Sequence, residues 1–299
     1  MHLPANQKLR RIMGLGPALG AIIIFMVIPI FIIAVYSFLE ANPYGGVRSN
    51  GSLEAYIQFF FERDLDDNLV FNKAYLMIFW RSFLLAGLTT VLCLLVGFPA
   101  AYYIAMQSPA RRNLLVFLVT IPFWTNLLIR TFCWILILRD TGIINNILIE
   151  SGFIDKPVTL LYTNGAILLG LVYTYIPFMV LPVYATVEKL DLRLFEAAHD
   201  LYANRRQLMG WIVLPLALPG IIAGSLLVFI PSLGAFIAPN LLGGGKKLMI
   251  GSLIQLQFAS SRNWPFGSAA ALILMAIVLL AMMIYVLGPA RNIKLGEYG

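Results

Sequence analysis

Apolar residues run in six long stretches, at about 14–39, 76–105, 114–138, 165–186, 211–238 and 267–288, separated by shorter polar segments. A helix rises 1.5 Å per residue, so roughly 20 such residues cross the hydrocarbon core of a bilayer. A chain in lipid must satisfy its backbone polar groups internally, which a helix does segment by segment. The pattern predicts an all-α, polytopic membrane protein with six transmembrane helices.

The connecting segments carry their own signals. The segment 40–75 opens with the turn-forming run "NPYGGVRSNGS", and the aromatic stretch "LEAYIQFFFERD" that follows suits a short helix at the membrane interface. In "TGIINNILIESGFI", within 139–163, apolar residues recur at helical spacing and predict a second surface helix. The stretch from Pro239 to Gly267 is glycine-rich and too polar to span. Five of the six spans hold proline: Pro29, Pro99, Pro122, Pro177 with Pro182, and Pro215 with Pro219 and Pro231. Proline removes a backbone bond and bends a helix, which suits spans that flex around a cavity and equally suits ordinary kinked packing.

Composition agrees with a lipid solvent. The chain of 299 residues is 60% hydrophobic and 12% charged, with a mean hydropathy of +0.86. Roughly half of it lies in spans, which leaves no sizeable water-soluble domain. The expected organisation is an N-terminal segment 1–13, one six-helix transmembrane domain over 14–288 that includes the loop 187–210, and a tail 289–299. The first apolar run is about 26 residues long, beyond the 7–15 of a cleaved signal, so it reads as a retained span. Cys93 and Cys133 both fall inside spans, as packing residues.

The net charge of +7 is distributed by side. Six spans put both termini on one face with the loops after spans two and four, and that face carries Lys8, Arg10, Arg11, Arg111, Arg112, Lys189, Arg193, Arg205, Arg206, Arg291 and Lys294. The acidic run "FERDLDDN" lies on the other. The positive-inside rule then puts both termini in the cytoplasm. The basic residues report topology rather than nucleic-acid binding.

Catalytic groups are scarce. The two histidines are His2 and His199, no H-E-x-x-H or C-x-x-C pair exists, and no metal site is expected. "GGGKK" has the wrong spacing for a phosphate-binding loop, so no nucleotide cofactor is expected in this chain. All 14 acidic residues lie in loops or at helix ends, unlike the intramembrane carboxylates of ion-driven carriers. Arg130 is a charge within a span, and Asn126, Arg130 and Trp134 recur every fourth residue along one face. Arg130 either bonds a neighbouring helix carbonyl or lines a path. Tyr173 at mid-span either faces a path or packs, and Tyr175, Trp124 and Trp134 supply further aromatic surface.

If the chain carries a solute, the energy must come from another chain, which draws attention to the loop 187–210. From Leu192 to about Arg206 it lacks Gly and Pro and favours helix. Leu192, Phe195, His199 and Tyr202 form a narrow stripe at helical spacing, with Glu196 and Asp200 beside it near the helix start, where the dipole favours acids. Ala197 and Ala198 leave room for a partner backbone. Such a helix either docks in a partner's groove or lies on the inner leaflet.

The segment resembles the signature of binding-protein-dependent ATP-binding-cassette importer permeases: EAA, three residues, Gly, nine residues, then I-x-L-P. Here stand Glu196-Ala197-Ala198, three residues, Tyr202, nine residues, then Ile212, Leu214 and Pro215, with Tyr in place of Gly as the departure. "IPFWTNLLIRTFCW" (121–134), the stretch 219–258 and "NWPFGSAAALIL" (263–274) are similar to spermidine/putrescine permeases, in particular the first of that system's two permease subunits. The resemblance implies a type I importer permease-like bundle in a bacterial inner membrane. It implies a second homologous permease, two copies of a cytoplasmic ATPase that binds ATP and Mg, and a periplasmic or lipid-anchored binding protein. It assigns Glu196, Ala197, Ala198 and Asp200 to the ATPase contact. Tyr202 adds bulk where the family has Gly, so the helix end or the groove must differ. Arg205 pairs with an ATPase carboxylate or a lipid phosphate. The substrate implied is a polyamine; other small organic solutes, such as amino-acid derivatives or opines, fit the same signature. Asn126, Arg130, Trp134, Tyr173 and Tyr175 are the candidates for the path.

Overall fold

The computed structural model describes residues 16–17, 20–63 and 68–287. The segments 1–13 and 289–299, with Lys8, Arg10, Arg11, Arg291 and Lys294, lie outside the described residues, as do the first and last positions of the outermost spans and 64–67 of the acidic run.

The order of elements is α1 (Gly20–Ser37), β1 (Leu39–Ala41), β2 (Val47–Gly51), α2 (Glu54–Phe60), β3 (Phe61–Arg63), β4 (Leu69–Phe71) and α3 (Ala74–Ala105). Then follow α4 (Pro109–Trp124), α5 (Leu127–Leu138), α6 (Ile143–Glu150), α7 (Asn164–Val187), α8 (Leu192–Asp200) and α9 (Arg205–Leu233). The last are α10 (Ile237–Leu242), α11 (Ile250–Ala259) and α12 (Trp264–Leu287). Among the described residues five helices are long and apolar enough to cross a membrane, and α4 with the helical stretch from Leu127, bent by 90° at the break, counts as a sixth where the pair is taken as one span.

That bend corrects the expectation of one continuous helix over 114–138. Pro122 has no N–H for the ladder, Thr125 turns extended (ψ 143), and the Thr125 hydroxyl donates to the Pro122 carbonyl at 2.9 Å. Asn126 then caps a new helix, its Oδ1 accepting the Leu128 N–H at 2.8 Å. The fifth span also shifts: its helix runs from Arg205 to Leu233 and stops at Gly234, so 234–238 belong to a turn and to the start of α10. Gly251 faces the Gly234 carbonyl so closely that a Cβ there would collide with it.

The chain divides into two compact units, 77–252 and 1–76 with 253–299. In the second of these, two short antiparallel hairpins join the helices, an addition to the all-helical expectation. β1 pairs β2, Glu40 opposite Arg48, and β3 pairs β4, Glu62 opposite Val70. The "PYGG" turn places Gly45 and Gly46 at φ +96 and +90, and the Gly46 N–H donates to the Arg262 carbonyl at 3.0 Å, which ties the hairpin to the turn before α12. The expected interfacial helix is α2. Its Phe59, 2% exposed, packs with Tyr75 and the fully buried Phe266, whose rings lie 4.7 Å apart.

The unit 77–252 is organised by α7. Met179, fully buried, fits between Gly97 of α3 and Gly224 of α9, and Gly220 lies against Thr186 and the Pro182 carbonyl. Small residues bring the helix backbones close, the main route to helix adhesion where lipid removes the hydrophobic drive. Cys93 is buried in this core, as expected, whereas Cys133 is exposed on α5. A second core joins Leu85, Leu138, Ile167, Leu171, Leu242 and Met249. Asn145 of α6 is fully buried and satisfied: its amide donates to the Val158 and Arg139 carbonyls and its Oδ1 accepts the Val158 N–H at 2.9 Å. Large apolar side chains on the outside, such as Phe25, Trp80 and Leu95, suit a surface solvated by lipid.

Candidate functional site

The segment after α7 is built by local capping. Asp191 Oδ1 accepts the Arg193 N–H at 2.9 Å and starts α8. The helix closes with the Tyr202 N–H on the His199 carbonyl at 2.9 Å and the Ala203 N–H on the Ala198 carbonyl at 3.0 Å. These two bonds form a Schellman end, and its left-handed residue is Tyr202, at φ +57. Asn204 and Gln207 then bond reciprocally in a capping box, at 2.9 and 2.8 Å, and open α9.

This geometry revises the expected stripe. Tyr202 sits beyond the helix rather than on its face, and its side chain is 96% exposed. Asp200 occupies the C-terminal end of α8, where the dipole disfavours an acid, and Glu196 stands at mid-helix; the helix-start acid is Asp191. The side chain of Leu192 lies outside the description. Ala198 is turned inward, 5% exposed, against Leu208 and Val213, so the chain's own return covers it. Glu196, Ala197, His199, Asp200, Tyr202 and Arg205 remain on the exposed side. Sequence reasoning missed Leu201 and Trp211, 81% and 82% exposed, which border a groove of about 260 Å³ beside α8. For Leu201 the signal was available, since it is a large apolar residue between Asp200 and the polar run that ends at Gln207; Trp211 stands at the head of an apolar stretch and carries no such signal.

Left-handed backbone is costly for a residue with a Cβ, by about 1–2 kcal/mol. The Schellman bonds and full exposure let Tyr202 adopt it, so the end of α8 takes a backbone shape that glycine adopts freely. Replacing Tyr202 by Gly is expected to stabilise this turn by about 1 kcal/mol, slowing amide exchange at Ala203 about five-fold. An unchanged exchange rate would mean that the turn carries no strain.

The candidate path residues separate into groups. Trp134 of α5 and Tyr173 of α7 meet edge to face, ring centres 5.6 Å apart, and border a groove of about 420 Å³ whose other walls include Leu92, Val96 and Val172. Tyr175 is two residues from Tyr173, about 200° around the helix, and faces away from that groove. Its hydroxyl donates to the Pro231 carbonyl at 3.1 Å, beside a 150 Å³ recess shared with Leu127 and Phe236. Asn126 serves as the cap of α5. Arg130, one turn into α5, has Nε and Nη1 buried without a hydrogen-bond partner, so neither atom makes the carbonyl bond that one reading of the sequence allowed.

Residues 94–291, a stretch that contains the whole α8 turn and both glycine contacts of Met179, match the family of the binding-protein-dependent transport system inner membrane component. The chain belongs to this family. It is 42% identical over 272 residues, 91% of both chains, to the spermidine/putrescine transport system permease protein PotB of Haemophilus influenzae. It is 37% identical over 266 residues to the protein of the same description in Escherichia coli, covering 89% of this chain and 93% of that one. An inner membrane ABC transporter permease protein of Escherichia coli, YdcU, is 33% identical over 71% of each chain. Among solved structures, a chain of a bacterial alginate ABC transporter in complex with alginate pentasaccharide-bound periplasmic protein aligns with a TM-score of 0.71 over 98% of this chain. Its 18% identity makes that a likeness of fold. The chain is thus a multi-pass inner-membrane permease component of a binding-protein-dependent transport system.

Proposed function

We propose that this permease imports a polyamine, spermidine or putrescine, as one of two permease subunits driven by a separate ATPase. The observation that carries the substrate is the identity of 42% and 37%, over about nine tenths of the chain, to permeases of spermidine/putrescine systems. Both termini and the loop 187–210 face the cytoplasm, in keeping with the basic residues on that side. The ATPase, which holds ATP and Mg, docks on the exposed side of α8 through Glu196, Ala197 and Asp200, with Tyr202 and Arg205 at its edge. A second permease completes the path. A periplasmic or lipid-anchored binding protein delivers the polycation.

The groove at Trp134 and Tyr173 contributes aromatic surface, to which ammonium groups are attracted. No carboxylate stands in any span, so this chain lets a polycation pass without holding it tightly. Selectivity then belongs to the binding protein. Cells lacking their own polyamine uptake and expressing the complete transporter are expected to accumulate labelled spermidine or putrescine at least ten-fold above background, and depletion of ATP abolishes the gain. Accumulation of neither compound, with another organic solute carried instead, would overturn the assignment.

A further inference from the structure

We infer that Arg130 is the cationic half of an ion pair formed inside the membrane with a carboxylate of the second permease subunit. This rests on the two-subunit reading above and adds a residue and a chemistry to it.

Arg130 lies within the bent crossing, four residues past the break at Asn126. A guanidinium keeps its proton and cannot shed its charge by titration. In lipid such a group faces the bundle or a cavity and finds a counter-charge. Among the described residues none stands against it. The spans of this chain contain no Asp or Glu, and the nearest acid in sequence, Asp140, lies beyond the end of α5. Nε and Nη1 are buried with no hydrogen-bond partner. The neighbouring Asn126 Oδ1 is already engaged by the Leu128 N–H at 2.8 Å. Arg130 also stands near the positive end of its own helix dipole, so α5 raises the local positive potential instead of offsetting it.

Nη2 is not one of the two sealed nitrogens, and it is where another molecule can reach the group. A carboxylate there neutralises the whole delocalised cation, including the two nitrogens it does not touch. A polyamine brings only positive charge and would be repelled by an uncompensated Arg130. The carboxylate therefore comes from a protein chain at the same depth, and the other membrane chain of the transporter is the second permease. Neutralised in this way, Arg130 ceases to oppose passage of a polycation.

The test uses the whole transporter, co-expressed and extracted in detergent without substrate, with co-purification of the second permease as the readout. Arg130→Gln is expected to reduce co-purification at least ten-fold and Arg130→Lys by no more than about three-fold, at equal amounts of this chain in the membrane. In a second arm this chain stays wild type, and each intramembrane Asp or Glu of the second permease is changed to its amide. One of these changes is expected to give the same loss, and a Lys at that position is expected to restore assembly with Arg130→Glu. If no amide substitution weakens assembly, the inference is overturned, whatever the fate of the Arg130 variants. If Arg130→Gln assembles normally and loses only uptake, the anion is a substrate group or a lipid phosphate, and the inference is likewise overturned. Polyamine uptake by the wild-type transporter, measured alongside, decides the substrate separately, because assembly is scored with no substrate present.

Discussion

Reversing the charge at Glu196, by Glu196→Lys, is expected to abolish ATP-driven uptake and to release the ATPase from the purified complex while the chain still enters the membrane. Glu196 stands exposed in the middle of α8. Lys and Glu have nearly equal helix propensity, and a surface change of this kind alters a fold by less than about 0.5 kcal/mol. The chain itself therefore has little reason to notice the substitution. A docked ATPase would lose an attraction and gain a repulsion at a contact that becomes desolvated, a loss of about 2–5 kcal/mol or more for a charge pair of that kind. Binding should fall by roughly two orders of magnitude or more. The measurements are ATPase co-purification, uptake by cells, and the amount of chain in the membrane fraction. Glu196→Gln removes the attraction without the repulsion and is expected to fall between. Normal uptake by Glu196→Lys would show that α8 is not the docking element.

The second large effect is expected from Gly220→Val, and it acts through the fold. A Cβ at Gly220 meets Thr186 Oγ1, the Thr186 Cβ and the Pro182 carbonyl oxygen across the α7–α9 contact. Thr186 Oγ1 is already committed to that carbonyl at 2.9 Å, and a backbone carbonyl cannot rotate away as a side-chain tip can. The helices would have to separate, and with them the contact of Gly224 on Met179 one turn along. The expected loss is about 3 kcal/mol, enough to lower the steady-state amount several-fold. Gly220→Ala is expected to cost roughly half as much. Gly210 has nothing within 4 Å of a built Cβ, so Gly210→Ala is the control and should be neutral or slightly stabilising. Thermal unfolding of the detergent-solubilised protein, together with its abundance in membranes, reads all three.

Much of this protein was legible along the chain. Lengths of apolar sequence set the crossings, because the thickness of a bilayer and the rise of a helix are fixed quantities. The spacing from Glu196 to Pro215 placed α8 and the return into the membrane, and Asp191 and the Asn204–Gln207 pair are caps that act within a few residues of themselves. What stayed hidden depends on contacts made far along the sequence. Ala197 and Ala198 are the same residue type side by side, and only the return of Leu208 and Val213 decides that Ala198 is covered and Ala197 is not. The hairpins of three- to five-residue strands carry too little alternation to reveal their pairing, and the turn of the first is held by the Gly46–Arg262 bond from more than two hundred residues away.

Pro122 announced a bend, yet the 90° break needed Asn126 to begin a new helix that packs on α10. Tyr202 was hardest to foresee, since local preference argues against left-handed backbone for tyrosine and the two bonds closing α8 outweigh it. By itself, then, the sequence determined the solvent, the long apolar helices and the place of the turn after α8, all of which follow from local chemistry summed over short windows. The tertiary structure alone decided which side chains that turn presents and where the third crossing breaks, because burial and hydrogen bonding at those points are set by residues that no local window contains.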